Sequence, residues 1–569
     1  MKPVRLPASA TLALPRWGLF ALCLLYILPG LIRREPWKTD DAAGFGIMWT
    51  MAHGGLNDWL WPHIAGLPMP DEGPLAFWIG AICIKLFGWL LGDALAARIS
   101  TIIFFLIGAM SVWYGAYRLG RRPEVQPLSL AFGGQPEPRD YGRMLADGAL
   151  LIYLACLGLL LRSHETSAEA LQISLVAFAF HIAVRLYETR AWHHALTLGV
   201  TLGLLVLARG MLVPIALWLG LLCITLRQPA IFARLVLISL PCALLIGASW
   251  SLATHLLQPY GSTPNPAWIA WHQHRLGWLS LDALRHFLRY SIWYAWPAWP
   301  FAGWAVYAWR KQEGTLHVKL SLAFILSLVV LLMLNPHPEE TGLLPLLPPL
   351  AILAAFGLPT MKRGAINAVD WFSVMMLSGC AAFIWIVWIA KQTGWPDQIA
   401  RNALKLAPGF TPEFNLPALV IAIAATLGWI LLVHWRVARQ PAVLWRAVVL
   451  SSGGVILCWL LLMTLWLPWL DYGKSYSRVA YQLSEYLPAS DYCVDTNVAS
   501  AQRASFAYFG KVRFPGFGEH GCNYLLLQDK VDQDSRSLLN AWPGHWKLLW
   551  EGRRPSDREE RFRLYQQQP

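Results

Sequence analysis

Apolar runs as long as a bilayer is thick constrain this chain most. "LVLISLPCALLIGASWSLATHLL" (235–257), "AVDWFSVMMLSGCAAFIWIVWIA" (368–390) and "AVVLSSGGVILCWLLLMTLWLPWL" (447–470) each exceed the roughly 20 residues that a helix needs to cross the hydrocarbon core. With 56% hydrophobic and only 14% charged residues, the chain has too little polar surface to cover so many such runs in water. The expected fold class is therefore mainly α, a polytopic membrane protein. The first run, "WGLFALCLLYILPGLI" (17–32), reads as a span, because no small-residue cleavage site follows it.

The formal net charge of +13 does not point to nucleic acid, because the basic residues sit in short segments between apolar runs. These include Arg118, Arg121 and Arg122; Arg185 and Arg190; Arg310 and Lys311; Lys362 and Arg363; and Arg436 and Arg439. Positive charge marks cytoplasmic loops. If "PLAFWIGAICIKLFGWLLG" (74–92) crossed the membrane, the parity of those loops would fail from residue 117 onward. Placed as an interfacial helix on the outer face, with Lys85 in its middle, it keeps every basic loop inside. The count is then about thirteen crossings, from 17–32 to 446–469. The N-terminus is cytoplasmic, and residues 33–94 form one large periplasmic loop within a transmembrane unit of residues 1–470.

After residue 470 the pattern changes to helix, short strand, helix. "NYLLLQD" (523–529), "WKLLWEG" (546–552) and "RFRLYQ" (561–566) follow as further strands. Residues 471–569 are expected to be a small soluble α/β domain on the periplasmic face. Cys493 and Cys522 stand alone in it and are expected to form a disulfide, while the other cysteines lie in apolar helices.

Polar residues that a membrane disfavours concentrate on that face. The first loop holds Asp40, Asp41, His53, Asp58, His63, Asp71 and Glu72 among Trp- and Met-rich sequence that would not tolerate full exposure. Carboxylates at such a place act as a base or bind a polar substrate, unless they are ordinary solvated loop acids. "LRSHETSAEALQ" (161–172) adds Arg162, His164, Glu165 and Glu169. Arg209 sits between apolar runs on the outer side, where its guanidinium fits a phosphate; the plainer alternative is a snorkelling span end. Residues 264–290 contribute His272, His274 and Arg275 among several tryptophans, a surface suited to an anionic lipid or a stacked sugar. An HxH spacing alone is a weak metal signal, so no metal site is assigned and a divalent metal stays open. No Gly-rich phosphate loop is present, and no other cofactor is expected.

The ordered set resembles the C-type membrane glycosyltransferases, closest to the bacterial branch of the lipid A aminoarabinose transferase and the relatives of protein O-mannosyltransferases. The family's first outer loop opens on an Asp-Glu pair, matched by "WKTDDAAGF" at Asp40 and Asp41. "GGLNDWLWPHIAGLP", "DEGPLAFW" (71–78), "KLFG" (85–88), "AARIS" (96–100), Arg209-Gly210 and "ETGLLPLLPPLAILAA" (340–355) follow in family order. The chain departs from the family at Asp41, where Glu is usual, and at Glu72 and Glu340, each standing where the family has Lys. Charge nominates Arg209, Arg275 and Arg98 as substitutes for the phosphate-binding lysines.

The resemblance implies transfer of a sugar from a polyprenyl-phosphate donor, at the periplasmic face of a bacterial inner membrane, to a lipid or protein acceptor. Asp40 and Asp41 would be the catalytic pair, with Asp71, Glu72, His164, Glu165, Glu169, His272, His274 and Glu340 lining the substrate site. Two rivals remain: a ligase or flippase for lipid-linked glycans, and a small-molecule transporter. The second is disfavoured by the absence of repeated halves and by polar residues confined to one face.

Overall fold

The computed structural model describes residues 4–11, 14–69, 73–129, 134–312, 314–438, 446–519, 521–530 and 538–568. Helices occupy all of the expected crossing segments, and nine among the described residues are long and apolar enough to cross a membrane. Leu237, Leu244, Leu245, Leu427 and Leu431 point outward from the bundle, an arrangement that lipid stabilises and water does not. The chain is a multi-pass membrane protein. Its most enclosed helices include 138–155, 168–189 and 347–355, with Phe180, Phe324 and Phe356 in the centre.

One end of the bundle is built by the segment between the first two crossings. Helix α1 (Asp40–His53) opens with two carboxylates in its first turn, where the positive end of the helix dipole favours them. Helix α2 (Leu75–Leu91) lies across α1, with Gly80 against Met48, and turns at Gly92 into the crossing helix α3 (Asp93–Gly120). Helix α4 (Ala168–Thr189) packs along α3 and then hands over to helix α5 (Trp192–Arg209). Gly44 of α1 meets the start of α4 so closely that a Cβ would lie 1.9 Å from the Thr166 carbonyl oxygen. Only glycine lets α1 sit there.

The C-terminal residues form a four-stranded sheet ordered β1 (Val494–Thr496), β2 (Tyr524–Lys530), β4 (Glu560–Gln568), β3 (His545–Gly552). β1 and β2 are parallel, so the chain between them must cross over, and helix α7 (Ser500–Phe509) lies in that connection. The other pairs are antiparallel. A disulfide joins Cys493, just before β1, to Cys522, just before β2. α7 rests on α1, where Phe45 and Trp49 meet Tyr508 edge to face. Arg503 of α7 also donates to the carbonyls of Ile64 and Ala65. The sheet unit is thus held against the helix that begins at Asp40.

Candidate active site

Adjacent residues at the start of α1 enter opposite environments. Asp41 is fully buried. Its carboxylate accepts from Arg34 Nη2 at 3.0 Å, the Trp37 amide at 3.2 Å, and the Thr166 amide and hydroxyl at 2.9 and 3.0 Å, with Arg98 Nη2 at 3.4 Å. Burial opposes ionisation, but the two guanidiniums and the two amides outweigh it and hold this carboxyl below the ordinary range. The expectation that Asp41 acts on substrate is therefore corrected: every lone pair is committed, and no substrate can reach it.

Arg98 is corrected for the same reason. It is buried, and it donates to the carbonyls of Leu31, Arg34 and Glu35 as well as to Asp41, so it ties down the segment before α1 and offers nothing to a phosphate. His164 is likewise structural, enclosed between the carbonyls of Leu160 and Tyr26. Burial and the nearby Arg34 push its imidazole down to about 4, so it stays neutral.

Asp40 keeps 46% of its side chain exposed and is held by Arg162, whose Nη1 also donates to Glu165 at 2.8 Å. Asp40 stands on the wall of a cavity of about 490 Å³. Arg162, Glu169, Arg209, Arg275, Glu339 and Glu340 line the same cavity, and with Asp40 they come from five separate stretches of chain. Arg209 Nη2 lies 2.8 Å from Glu169 Oε1 and 3.9 Å from Glu339 Oε2, and Arg275 Nη2 lies 2.7 Å from Glu339 Oε1. Glu339, 47% exposed, thus spans the gap between two guanidiniums. A narrower cleft walled by Leu212, Val213, Leu328 and Leu332 opens onto the same two arginines and Trp271. Together they make an amphiphilic site, with a cationic seat at the head of an aliphatic slot.

Helix α6 (Asn265–His274) positions this seat. Arg275 follows it directly, its guanidinium 4.2 Å over Trp271. His272 accepts from the Met211 amide at 3.0 Å and contacts the Trp268 carbonyl, fixing the turn after Arg209. Burial lowers its pKa, and the ring nitrogen that accepts from the Met211 amide carries no proton. Gly210 in that turn has φ +91°, and a Cβ there would lie 2.0 Å from His272 Nε2. His272 is thus a brace for the turn, which corrects its expected place on substrate. His274 is exposed and lies outside the cavity wall. Glu165 lies beneath Arg162, and desolvation raises its carboxyl to about 7 although Arg162 opposes the rise. Asp58 and His63 pair with each other at 2.7 Å, away from this cavity. Asp71 and Glu72 lie outside the described residues.

Glu339 was not foreseen as a site residue, and Arg162 was singled out with its neighbours in 161–172 but given no role. A signal for Glu339 existed in its neighbour Glu340. Among the described residues no group of three His, Cys, Asp or Glu side chains is arranged to hold a metal ion.

No protein-family model matches the chain, and neither does any curated protein sequence. Solved structures do. The chain has the fold of ArnT from Cupriavidus metallidurans bound to undecaprenyl phosphate, with a TM-score of 0.68, 15% identity, and coverage of 96% of this chain and 97% of that one. The apo state of the same protein superposes with a TM-score of 0.63 at 16% identity over the same shares. The correspondence spans both the helical bundle and the C-terminal sheet, as expected from the order of motifs.

Proposed function

We propose that the chain is a glycosyltransferase that moves a sugar from a polyprenyl-phosphate donor to an acceptor at the periplasmic face of a bacterial inner membrane. One observation carries the reading: Arg209 and Arg275 converge at the head of an aliphatic cleft, in the cavity that also presents Asp40. A lipid-linked sugar cannot leave the bilayer, so its enzyme needs a greasy slot beside a polar chamber. The fold shared with a protein that was crystallised with undecaprenyl phosphate adds to this reading.

On donor binding, the phosphate replaces the Glu339 carboxylate between the two guanidiniums and gains charge-assisted hydrogen bonds. The acceptor oxygen bonds to the anomeric carbon as the bond from that carbon to the phosphate oxygen breaks, and the electron pair leaves with the phosphate. Arg209 and Arg275 stabilise the charge that builds there. Asp40 takes the acceptor proton and passes it to solvent, and its negative charge steadies the cationic sugar centre. If the acceptor is already an anion, Asp40 serves only the second purpose. Arg162 holds Asp40 in place, and Glu169 orients Arg209.

The test compares lipids and glycoproteins of wild-type and Asp40→Asn cells by mass spectrometry. Loss of one sugar from lipopolysaccharide or protein, with its polyprenyl-phosphate precursor retained or increased, is the expected result. An unchanged glycan profile with altered uptake of a small solute would instead indicate a carrier.

A further inference from the structure

A cavity at the far end of α1 takes no part in the chemistry described above. It encloses about 690 Å³, and Trp49, His53, Asp93, Tyr508, Lys511 and Arg513 stand in its wall. His53 closes α1, roughly 20 Å along the helix axis from Asp40. No residue of this wall belongs to the cavity of Asp40. Asp93 is the first residue of the crossing helix α3, so the cavity opens where the chain enters the membrane. The end of α2 lies beside it: a Cβ on Gly88 would stand 2.8 Å from Asp93 Oδ1. Leu86, Trp89 and Leu90 of that helix are exposed, which marks lipid as the neighbour of the cavity.

Two cations overhang this boundary. Lys511 and Arg513 are exposed, and among the described residues neither forms an ion pair with a carboxylate. The carboxylate in the wall, Asp93, is already engaged: it accepts from Trp49 Nε1 at 3.2 Å and lies 3.7 Å from His53 Nε2. The turn that presents the cations is held firmly. Lys511 has φ +49°, a conformation that is costly for any residue with a side chain. Backbone bonds impose it: the Val512 amide donates to the Phe506 carbonyl at 3.1 Å, and the Val494 amide to the Arg513 carbonyl at 2.9 Å. The basic pair is therefore fixed to both α7 and β1.

We propose that this cavity seats the phosphate of an anionic glycerophospholipid, and that the bound lipid fastens the C-terminal sheet unit to the membrane surface. The proposal is independent of the transfer reaction, since it uses neither Asp40 nor the arginines around it. Lys511 and Arg513 give the phosphate charge-assisted hydrogen bonds. Trp49 and Tyr508 are half-buried amphipathic rings of the kind that sit at the level of the glycerol esters. The acyl chains then run down past Leu86, Trp89 and Leu90. A free phosphate would leave most of the volume empty and use none of that apolar surface. A zwitterionic head group would bring its ammonium against two cations and a carboxylate that is already engaged.

The experiment titrates the full-length, delipidated protein with phosphatidylglycerol or phosphatidylcholine under native mass spectrometry. Wild type should bind its first phosphatidylglycerol about tenfold more tightly than phosphatidylcholine. The double variant Lys511→Gln/Arg513→Gln keeps most of the bulk and removes both charges, and it should lose that preference. Without lipid its melting temperature should match wild type, because both side chains are exposed. Phosphatidylglycerol should raise the melting temperature of wild type and leave that of the variant unchanged. Hydrogen exchange in lipid nanodiscs locates the site: amides of residues 508–514 should slow in phosphatidylglycerol relative to phosphatidylcholine, in wild type alone. Equal binding of the two lipids, or a preference that survives in the variant, overturns the lipid site. Binding without a rise in melting temperature overturns the fastening. The same slowing produced by inorganic phosphate in phosphatidylcholine discs would give the cavity to a free anion and overturn the lipid.

Discussion

Asp40 and Asp41 are consecutive, yet Asp40 faces a cavity with 46% of its side chain exposed while Asp41 has none. A helix turns about 100° per residue, so neighbours in its first turn can serve unrelated ends. Asp41→Asn should therefore act on folding: it strands Arg34 and Arg98 in a dry site, at a cost of about 3–5 kcal/mol. Asp40→Asn should leave the melting temperature nearly unchanged while transfer falls by about a hundredfold or more. Thermal unfolding in detergent, alongside product analysis, separates the two.

The bridge from Arg275 through Glu339 to Arg209 makes the carboxylate a competitor of any bound phosphate. Glu339→Ala is expected to bind undecaprenyl phosphate several-fold more tightly. Arg209→Ala and Arg275→Ala should each weaken it by about ten- to a hundredfold, the size of a lost charged hydrogen bond. Titration by native mass spectrometry in lipid nanodiscs reads all three.

Glu165 gives stability a pH dependence of definite sign. Desolvation lifts its folded carboxyl to about 7 from an ordinary 4.5, so between those values the folded state holds a proton that the unfolded chain has released. Its contribution is full below pH 4.5 and is lost as the pH rises through 7. Asp41, held low by its arginines, works in the opposite sense and only at more acidic pH. The melting temperature of Glu165→Gln should accordingly decline less than that of wild type between pH 4.5 and 7.

Gly210→Ala tests the brace beside Arg209. A side chain at φ +91° and against His272 must shift the turn that carries Arg209, costing about 1–3 kcal/mol of backbone strain. Weaker undecaprenyl phosphate binding with Asp40 chemistry otherwise intact is the expected outcome, measured as a change in apparent donor affinity at constant turnover.

Much of the architecture could be read directly from residue patterns, because crossing a membrane demands long apolar helices and leaves few alternatives. The strands expected at 523–529, 546–552 and 561–566 correspond to β2, β3 and β4 within a residue or two. Their order in the sheet could not be read, since pairing depends on contacts remote in sequence. Arg209 stood out because a cation between two apolar runs is costly to place. Arg98 carried the same signal for a different reason: its partners at Leu31, Arg34 and Glu35 lie more than 60 residues away and are backbone carbonyls that no side-chain pattern advertises. His164 and Asp41 misled in the same way, both polar and near the site, yet turned inward to satisfy main-chain groups. Glu339 was hidden because a carboxylate beside two arginines only makes sense once the loop that carries it is folded over them.

The seating of α7 on α1 has a consequence for how such a chain can change. The tail lends Ser500 to the cavity wall and is also the backing of the helix that begins at Asp40. A graft from a distant relative would therefore have to match a helix flank and a cavity wall at once, which makes the tail a poor candidate for free exchange and a natural place for gradual retuning.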